Sequence, residues 1–126
     1  MRAELGGYII ADLGKITGTR GYFIGHFMAE EGYPDLRSDE IEIAVMKLPE
    51  ADPGPAHFHR EMTEITIVLS GRLTLIFDEK EKVEVGEGEF FVVYPGTVLQ
   101  NPANEPGTKV VVIKYPSVPQ DKYYVE

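Results

Sequence analysis

The sequence of 126 residues contains no cysteine. This absence excludes a disulfide scaffold, a thiolate metal site and a cysteine nucleophile. Basic residues are also scarce, since 12 lysines and arginines stand against 21 aspartates and glutamates and leave a net charge of −9. Such a charge repels phosphate backbones and anionic lipid headgroups, so we expect neither nucleic acid nor a membrane surface as a partner.

Long hydrophobic runs are missing as well. No stretch approaches the roughly 18 apolar residues that a bilayer-spanning helix requires, and the N-terminus MRAELGGYIIADLGK lacks the apolar region and cleavage pattern of a signal peptide. We therefore expect a cytoplasmic protein. The length fits one domain with one hydrophobic core.

Helical periodicity is absent too, and apolar residues instead alternate with a period of two between frequent glycines and prolines. At most a helical turn is expected, at residues 35–40. Ser70-Gly71 is expected to form a two-residue hairpin turn, and the charged residues 78–82 a solvated loop. The sequence therefore predicts an all-β sandwich, jelly roll or barrel, with strands at 22–28, 41–48, 64–69, 73–77, 90–94 and 110–115.

Several of these strands are apolar on both faces. Ile65, Ile67 and Leu69 point one way, whereas Thr66 and Val68 point the other way. One face can line the interior, and the other must be covered by the N-terminal segment or by a second subunit. Because two-fold assemblies are common, we expect a homodimer.

The sequence has only three histidines, and two of them lie close together. His57 and His59 share one face of an extended strand because side chains alternate. Glu64 opens the next strand, and if that strand pairs with the first, its carboxylate lies beside the two imidazoles. Two neutral nitrogens and a carboxylate form a facial set of ligands for a divalent transition metal such as Fe, Mn, Ni or Zn.

The stretch GPAHFHREMTEITIVLSG, which starts at Gly54, has the His-x-His, Glu and Gly spacing of the first motif of the cupin family. The stretch GEFFVVYPGTVLQNPAN resembles the second cupin motif. The resemblance implies a single jelly-roll β-barrel domain over residues 1–126. Its core barrel would span about 41–115, its N-terminal strands 8–28 and an extended C-terminal tail 116–126.

The second motif departs from the family pattern at three positions, since Tyr94 stands for the first proline and Ala103 for the asparagine. Leu99 stands where metal-binding cupins have their third histidine, and leucine cannot bind a metal. Four alternatives remain open at this point. The metal is held by His57, His59 and Glu64 with waters, Gln100 or Asn101 substitutes, His26 reaches in from another strand, or the site has lost its metal.

The resemblance implies a metal-binding cupin that acts on a small organic molecule, with oxygenases and isomerases as the reaction classes. The alternative is a non-catalytic cupin that binds a sugar or metabolite without a tightly held metal, which the apolar Leu99 favours. In a third, metal-free reading, a histidine acts as base and Tyr94 returns the proton. Strand alternation and motif position give six candidates for the substrate pocket: Glu42, Met46, Phe91, Tyr94, Leu99 and Asn101.

Overall fold

The computed structural model describes residues 2–4, 7–50 and 55–125. Gly54, the first residue of the motif, lies outside them. The described residues confirm the all-β prediction, with two short 3-10 helices at Leu13–Lys15 and Pro34–Leu36. The strands are β1 (Arg2–Glu4), β2 (Tyr8–Ile10), β3 (Tyr22–Ile24), β4 (Glu42–Lys47), β5 (His57–Phe58), β6 (Thr63–Ser70), β7 (Arg72–Phe77), β8 (Glu81–Gly86), β9 (Phe90–Val93), β10 (Leu99–Asn104), β11 (Lys109–Tyr115) and β12 (Tyr123–Tyr124).

Two five-stranded antiparallel sheets form the jelly roll. The first sheet has the order β3-β4-β11-β6-β9, and the second has the order β12-β5-β10-β7-β8. They remain separate sheets and do not close into one continuous ladder. Strands β1 and β2 pair only with each other, as a two-stranded sheet.

The hydrophobic core lies between the two sheets, because alternate residues of each strand point inward. Val68 and Val110 come from the first sheet, and Leu73, Leu75 and Leu99 come from the second. On β6 the inward positions are those of Glu64, Thr66 and Val68, as the alternation predicts. Polar side chains therefore occupy one end of the interior, and apolar side chains fill the remainder.

The predicted hairpin at Ser70-Gly71 is wrong. Strand β6 pairs with β9 and β11, whereas β7 pairs with β8 and β10, so this turn carries the chain from one sheet to the other. Gly71 has a φ of 84°, and a Cβ added there would lie 2.3 Å from the Thr108 hydroxyl oxygen. The positive φ and the close approach to Thr108 both require glycine at this position. The predicted turn is therefore correct, and the predicted pairing of the two flanking strands is wrong.

Three other segments differ from the sequence prediction. Strand β8 begins at Glu81, so the charged loop is confined to residues 78–80. The hairpin between β7 and β8 does form. Strand β3 ends at Ile24, before the segment that contains His26. Strand β10 includes Pro102, which the sequence analysis did not assign to a strand.

The C-terminal segment is part of the fold. Ser117 and Asp121 are buried, and β12 adds an edge strand beside β5. Tyr123 stacks on Phe58 with ring centroids 5.5 Å apart. The C-terminal segment thus packs beside the histidine motif. In the part of the chain that the structure describes, no helix is long and apolar enough to cross a membrane.

Candidate functional site

The two motif histidines lie side by side at one end of the interior. Their ring centroids are 5.5 Å apart with an edge-to-face arrangement. Strand β5, which carries His57, pairs with β10 and β12 and not with the strand of Glu64. Glu64 therefore approaches from the opposite sheet, across the interior. The expected strand pairing was wrong, although Glu64 does reach His59, as the spacing predicted.

His59 has a defined orientation and an unusual environment. Its Nδ1 atom is hydrogen-bonded to the backbone carbonyl of Asp121, which can only accept, so Nδ1 carries the proton. The Nε2 atom points at Glu64 Oε1 at a distance of 3.6 Å. Nε2 is buried, and no described group lies within hydrogen-bond distance of it. In the neutral ring with its proton on Nδ1, the lone pair of Nε2 therefore faces the carboxylate of Glu64.

Glu64 is held in its charged form. Burial alone would raise its pKa, but the neighbouring His59 and the charge of Lys114 offset that effect and leave the pKa below its ordinary value. The Thr66 hydroxyl donates a hydrogen bond to Glu64 Oε2 at 3.2 Å. The carboxylate thus has one oxygen fixed by Thr66 and the other directed at His59.

His57 is neutral near pH 7. Burial lowers its pKa to about 4, and the charge of Lys122 contributes in the same direction. A neutral imidazole keeps one nitrogen lone pair for a metal ion or a proton. His57 therefore supplies a potential ligand or base at the edge of the interior.

Asp121 organises the turn between the two halves of the motif. Its carboxylate accepts hydrogen bonds from the backbone N–H groups of Arg60, Glu61 and Met62 at 2.8, 2.9 and 2.8 Å. Burial would raise the pKa of Asp121, but these three hydrogen bonds leave it below its ordinary value. Because the backbone carbonyl of the same residue holds His59, Asp121 fixes both the turn and the ring.

Three charged side chains form a row across the first sheet beside the histidines. They belong to residues that pair directly on β4, β11 and β6: Glu42, Lys114 and Glu64. Burial would lower the pKa of Lys114, but Tyr22 and the two carboxylates leave it above its ordinary value. Lys114 is not among the predicted site residues, although the alternation of Val110 and Val112 on β11 places it inward. No local pattern marked Asp121, since its partners lie about 60 residues away.

A cavity of about 150 Å³ lies next to this polar end. His57, Glu64, Thr66 and Asn101 are its polar lining residues, and aliphatic and aromatic side chains line the remainder. Four of the six pocket candidates are on its wall: Met46, Phe91, Leu99 and Asn101.

The other two pocket candidates lie elsewhere. Tyr94 is 66% exposed, because it follows the end of β9. Glu42 faces a separate cluster, in which it accepts a hydrogen bond from the Ser117 hydroxyl at 3.0 Å. His26 belongs to that cluster too, with Nδ1 2.8 Å from Ser117 Oγ and 3.5 Å from Glu42 Oε2. His26 is thus engaged with Ser117 and Glu42, and Tyr94 lies outside the cavity.

The donor chemistry fits a divalent transition metal. Among the described residues, no three histidine or acidic side chains lie close enough together to hold an ion as they stand. His59 and Glu64 nevertheless form a buried donor pair whose Nε2 atom has no partner, and the neutral His57 is adjacent. Leu99 pairs with His57 across β10 and β5 and contributes only an apolar wall.

Comparison with known proteins places this chain in a family. Residues 44–113, more than half of the chain, match the family model described as Cupin domain. Among curated proteins, none matches the sequence significantly.

Several solved structures share the fold. Pac13 from Streptomyces, described as a nucleoside dehydratase, is 17% identical over 71% of each chain with a TM-score of 0.61. KdgF from a Halomonas species is 23% identical over 63% of this chain and 72% of that one, with a TM-score of 0.56. A protein from Planctomyces limnophilus is 15% identical and covers 94% of this chain and 97% of its own, with a TM-score of 0.67. At these identities the likeness concerns the fold alone, and together with the family match it shows that this chain is a member of the cupin family.

Proposed function

We propose that this cupin binds a divalent transition metal through His57, His59 and Glu64 and acts on a small organic molecule in the adjacent cavity. The observation that carries the proposal is the buried Nε2 atom of His59, 3.6 Å from Glu64 Oε1. Two acceptors that face each other in a buried site repel unless a positive centre lies between them. A metal ion provides that centre, and the neutral ring of His57 adds a third ligand.

The surrounding residues prepare these groups before any ligand arrives. Asp121 fixes the tautomer of His59, so that the lone pair on Nε2 points at Glu64. Thr66 donates to one oxygen of Glu64 and leaves the other available. When bound, a divalent metal would supply a Lewis acid that polarises a ligand oxygen.

The cavity wall accounts for the choice of a small molecule. Leu99, Phe91 and Met46 present an apolar surface, and Asn101 offers a polar edge. A few polar groups in an apolar cavity are typical of sites that orient a small organic ligand. The solved structures that share the fold include a nucleoside dehydratase and a DMSP lyase. Oxygenase and isomerase chemistry are the reaction classes that we propose on the resemblance alone.

A second candidate is a cupin that binds a small metabolite without a tightly held metal. Two observations favour it. Leu99 removes the fourth protein ligand, and the cation of Lys114 lies next to Glu64 on the neighbouring strand. A nearby positive charge disfavours a divalent cation at the same carboxylate. In this case a proton on His59 Nε2 is the positive centre.

Metal content separates the two candidates. The purified protein is incubated with iron, manganese, nickel or zinc, freed of excess metal, and analysed by elemental mass spectrometry. We expect about one equivalent of one metal, and loss of that metal in Glu64→Gln because a carboxylate ligand is removed. Glu61→Gln is the matched control, since its side chain is exposed in the same turn. Metal-free protein under all four conditions would overturn the metal proposal and favour the second candidate.

We also propose that the protein is a homodimer that covers the outer face of the first sheet. This face carries the outward residues of β6 and β9, and Leu69 and Phe90 on it are 46% and 65% exposed. Contiguous exposed apolar surface of this kind marks an interface. Light scattering should give the mass of a dimer, and a double variant Leu69→Lys/Phe90→Lys should give a monomer. A monomeric wild-type protein would contradict this proposal.

A further inference from the structure

A groove outside the cavity combines positive charge with access to the candidate site. It has a volume of about 660 Å³, and its charged lining residues are Arg20, Lys47 and Lys122. It shares Met46, Leu48 and Asn101 with the wall of the cavity. These residues come from both sheets, so the groove lies where the two sheets meet beside the edge strands β3 and β12. We call it the cationic groove.

The charge of this groove is opposite to that of the protein as a whole. The chain has 21 acidic and 12 basic residues, yet none of the described residues that line the groove is an aspartate or a glutamate. The ion pairs among the described residues use His26, Arg37, His59 and Arg72 as their basic partners. The three groove cations thus have no carboxylate of the described chain within ion-pair distance.

Arg20 is held in place by a tight turn. It has a φ of 57°, and the following Gly21 has a φ of 95°. The Val45 N–H donates a hydrogen bond to the Gly21 carbonyl at 3.0 Å, and a Cβ on Gly21 would lie 2.4 Å from the Val45 carbonyl oxygen. The turn therefore packs closely against β4, the strand that ends at Lys47. This close packing fixes the backbone of Arg20 at the rim of the groove.

Lys122 connects the groove to the cavity. It lines the groove and directly precedes β12, whose Tyr124 pairs with His57 of the cavity wall. A cleft lined by charges of one sign concentrates counter-ions. An anion bound in the groove would therefore be adjacent to the cavity and to its polar side chains His57, Glu64, Thr66 and Asn101.

We propose that the ligand of this cupin is a small organic anion whose carboxylate or phosphate group binds Arg20, Lys47 and Lys122 while its apolar part enters the cavity. This inference rests on the proposed function, because it assigns a substrate class to the same cavity. The cavity has a volume of about 150 Å³, similar to that of an engineered cavity that binds benzene in another protein. The apolar part of the ligand can therefore be about as large as a benzene ring.

The test compares three probes that share a phenyl ring by titration calorimetry on the protein of 126 residues. Benzoate and phenyl phosphate carry the two anionic groups, and benzamide is the neutral counterpart. We expect at least one of the anions to bind about tenfold more tightly than benzamide at low salt, with the difference reduced at about 0.5 M salt. Whichever anion binds more tightly identifies the preferred group.

Variants then locate the binding. In Lys47→Gln/Lys122→Gln we expect the affinity for the anion to fall about tenfold, whereas benzamide binding stays unchanged. Lys80→Gln is the matched control, because Lys80 is exposed in the β7–β8 turn and does not line the groove. If the anion were held only by a metal ion, its affinity would be unchanged by the groove substitutions, and that result would overturn the inference. Equal affinities for anions and benzamide, or no binding of any probe, would also overturn it, while the metal analysis above tests the proposed function independently.

Discussion

We expect the candidate site to be most sensitive to a substitution that alters the Asp121 carboxylate. Asp121→Asn preserves the size of the side chain and removes its charge. The carboxylate is 3% exposed and accepts three backbone hydrogen bonds from Arg60, Glu61 and Met62. In the variant, an amide NH₂ group replaces one oxygen and faces N–H donors, so at least one buried donor loses its partner.

The expected loss follows from those contacts. Hydrogen bonds to a charged group contribute about 1.5–3 kcal/mol each, and an unsatisfied buried donor costs a further 1–3 kcal/mol. We expect the free energy of unfolding to fall by roughly 3–4 kcal/mol, which lowers the melting temperature by about 10–15 °C in a domain of this size. The turn also holds the backbone carbonyl that orients His59, so metal affinity should fall about tenfold.

Urea denaturation at pH 7 measures this loss, and Asp39→Asn serves as the control. Asp39 is exposed and pairs only with the exposed Arg37, so its substitution should cost less than about 0.5 kcal/mol. The sign of the pH dependence is a further check. Because the pKa of Asp121 is lower in the folded state, its contribution is present above pH 3.8 and is lost as the pH falls below that value. Equal stabilities of the two variants would refute the role given to Asp121.

Three other changes have defined outcomes. On acidification from pH 6.5 to about 4, the free energy of unfolding of the metal-free protein should fall by roughly 1–2 kcal/mol. His57 takes up a proton in this window when the chain is unfolded, whereas the folded, partly exposed ring does not. His57→Gln should show no such slope in denaturation, and an unchanged slope would contradict the assignment. Gly71→Ala should destabilise the protein by about 2 kcal/mol or more in urea, since φ is positive and a Cβ would meet Thr108; a neutral effect would contradict the close approach. Leu99→His should raise metal affinity at least about tenfold by calorimetry, because it adds an imidazole beside His57; unchanged affinity would place the metal elsewhere.

Local patterns predicted six of the strands, β3, β4, β6, β7, β9 and β11, because burial on one face of a strand is a period-two signal. The inward positions of Glu64, Thr66 and Val68 follow directly from it. The same rule applied to β11 would have found Lys114, whose neighbours Val110 and Val112 are buried. The assignment of Ser70-Gly71 to a hairpin was wrong because a tight glycine turn fits both a hairpin and a crossing between sheets. Only the pairing partners of β6 and β7 distinguish these two cases.

The remaining features of the site depend on contacts between distant segments. Asp121 meets its backbone partners about 60 residues away in the sequence, and Ser117 meets His26 at a separation of 91 residues. No local periodicity marks either residue, since both lie in a segment of turns and short extended stretches. The cationic groove likewise draws Arg20, Lys47 and Lys122 from three separate regions. Such sites follow from topology, which a single sequence specifies only indirectly.

Anomalous diffraction from crystals grown with Mn²⁺ or Co²⁺ tests the central claim most directly, because it locates the metal without relying on activity. The account predicts one strong peak between His59 Nε2 and the Glu64 carboxylate, with His57 as a further ligand. Crystals of Glu64→Gln should lack that peak. Well-ordered crystals with no anomalous signal inside the barrel, or with a peak bound only by surface carboxylates, would contradict the account.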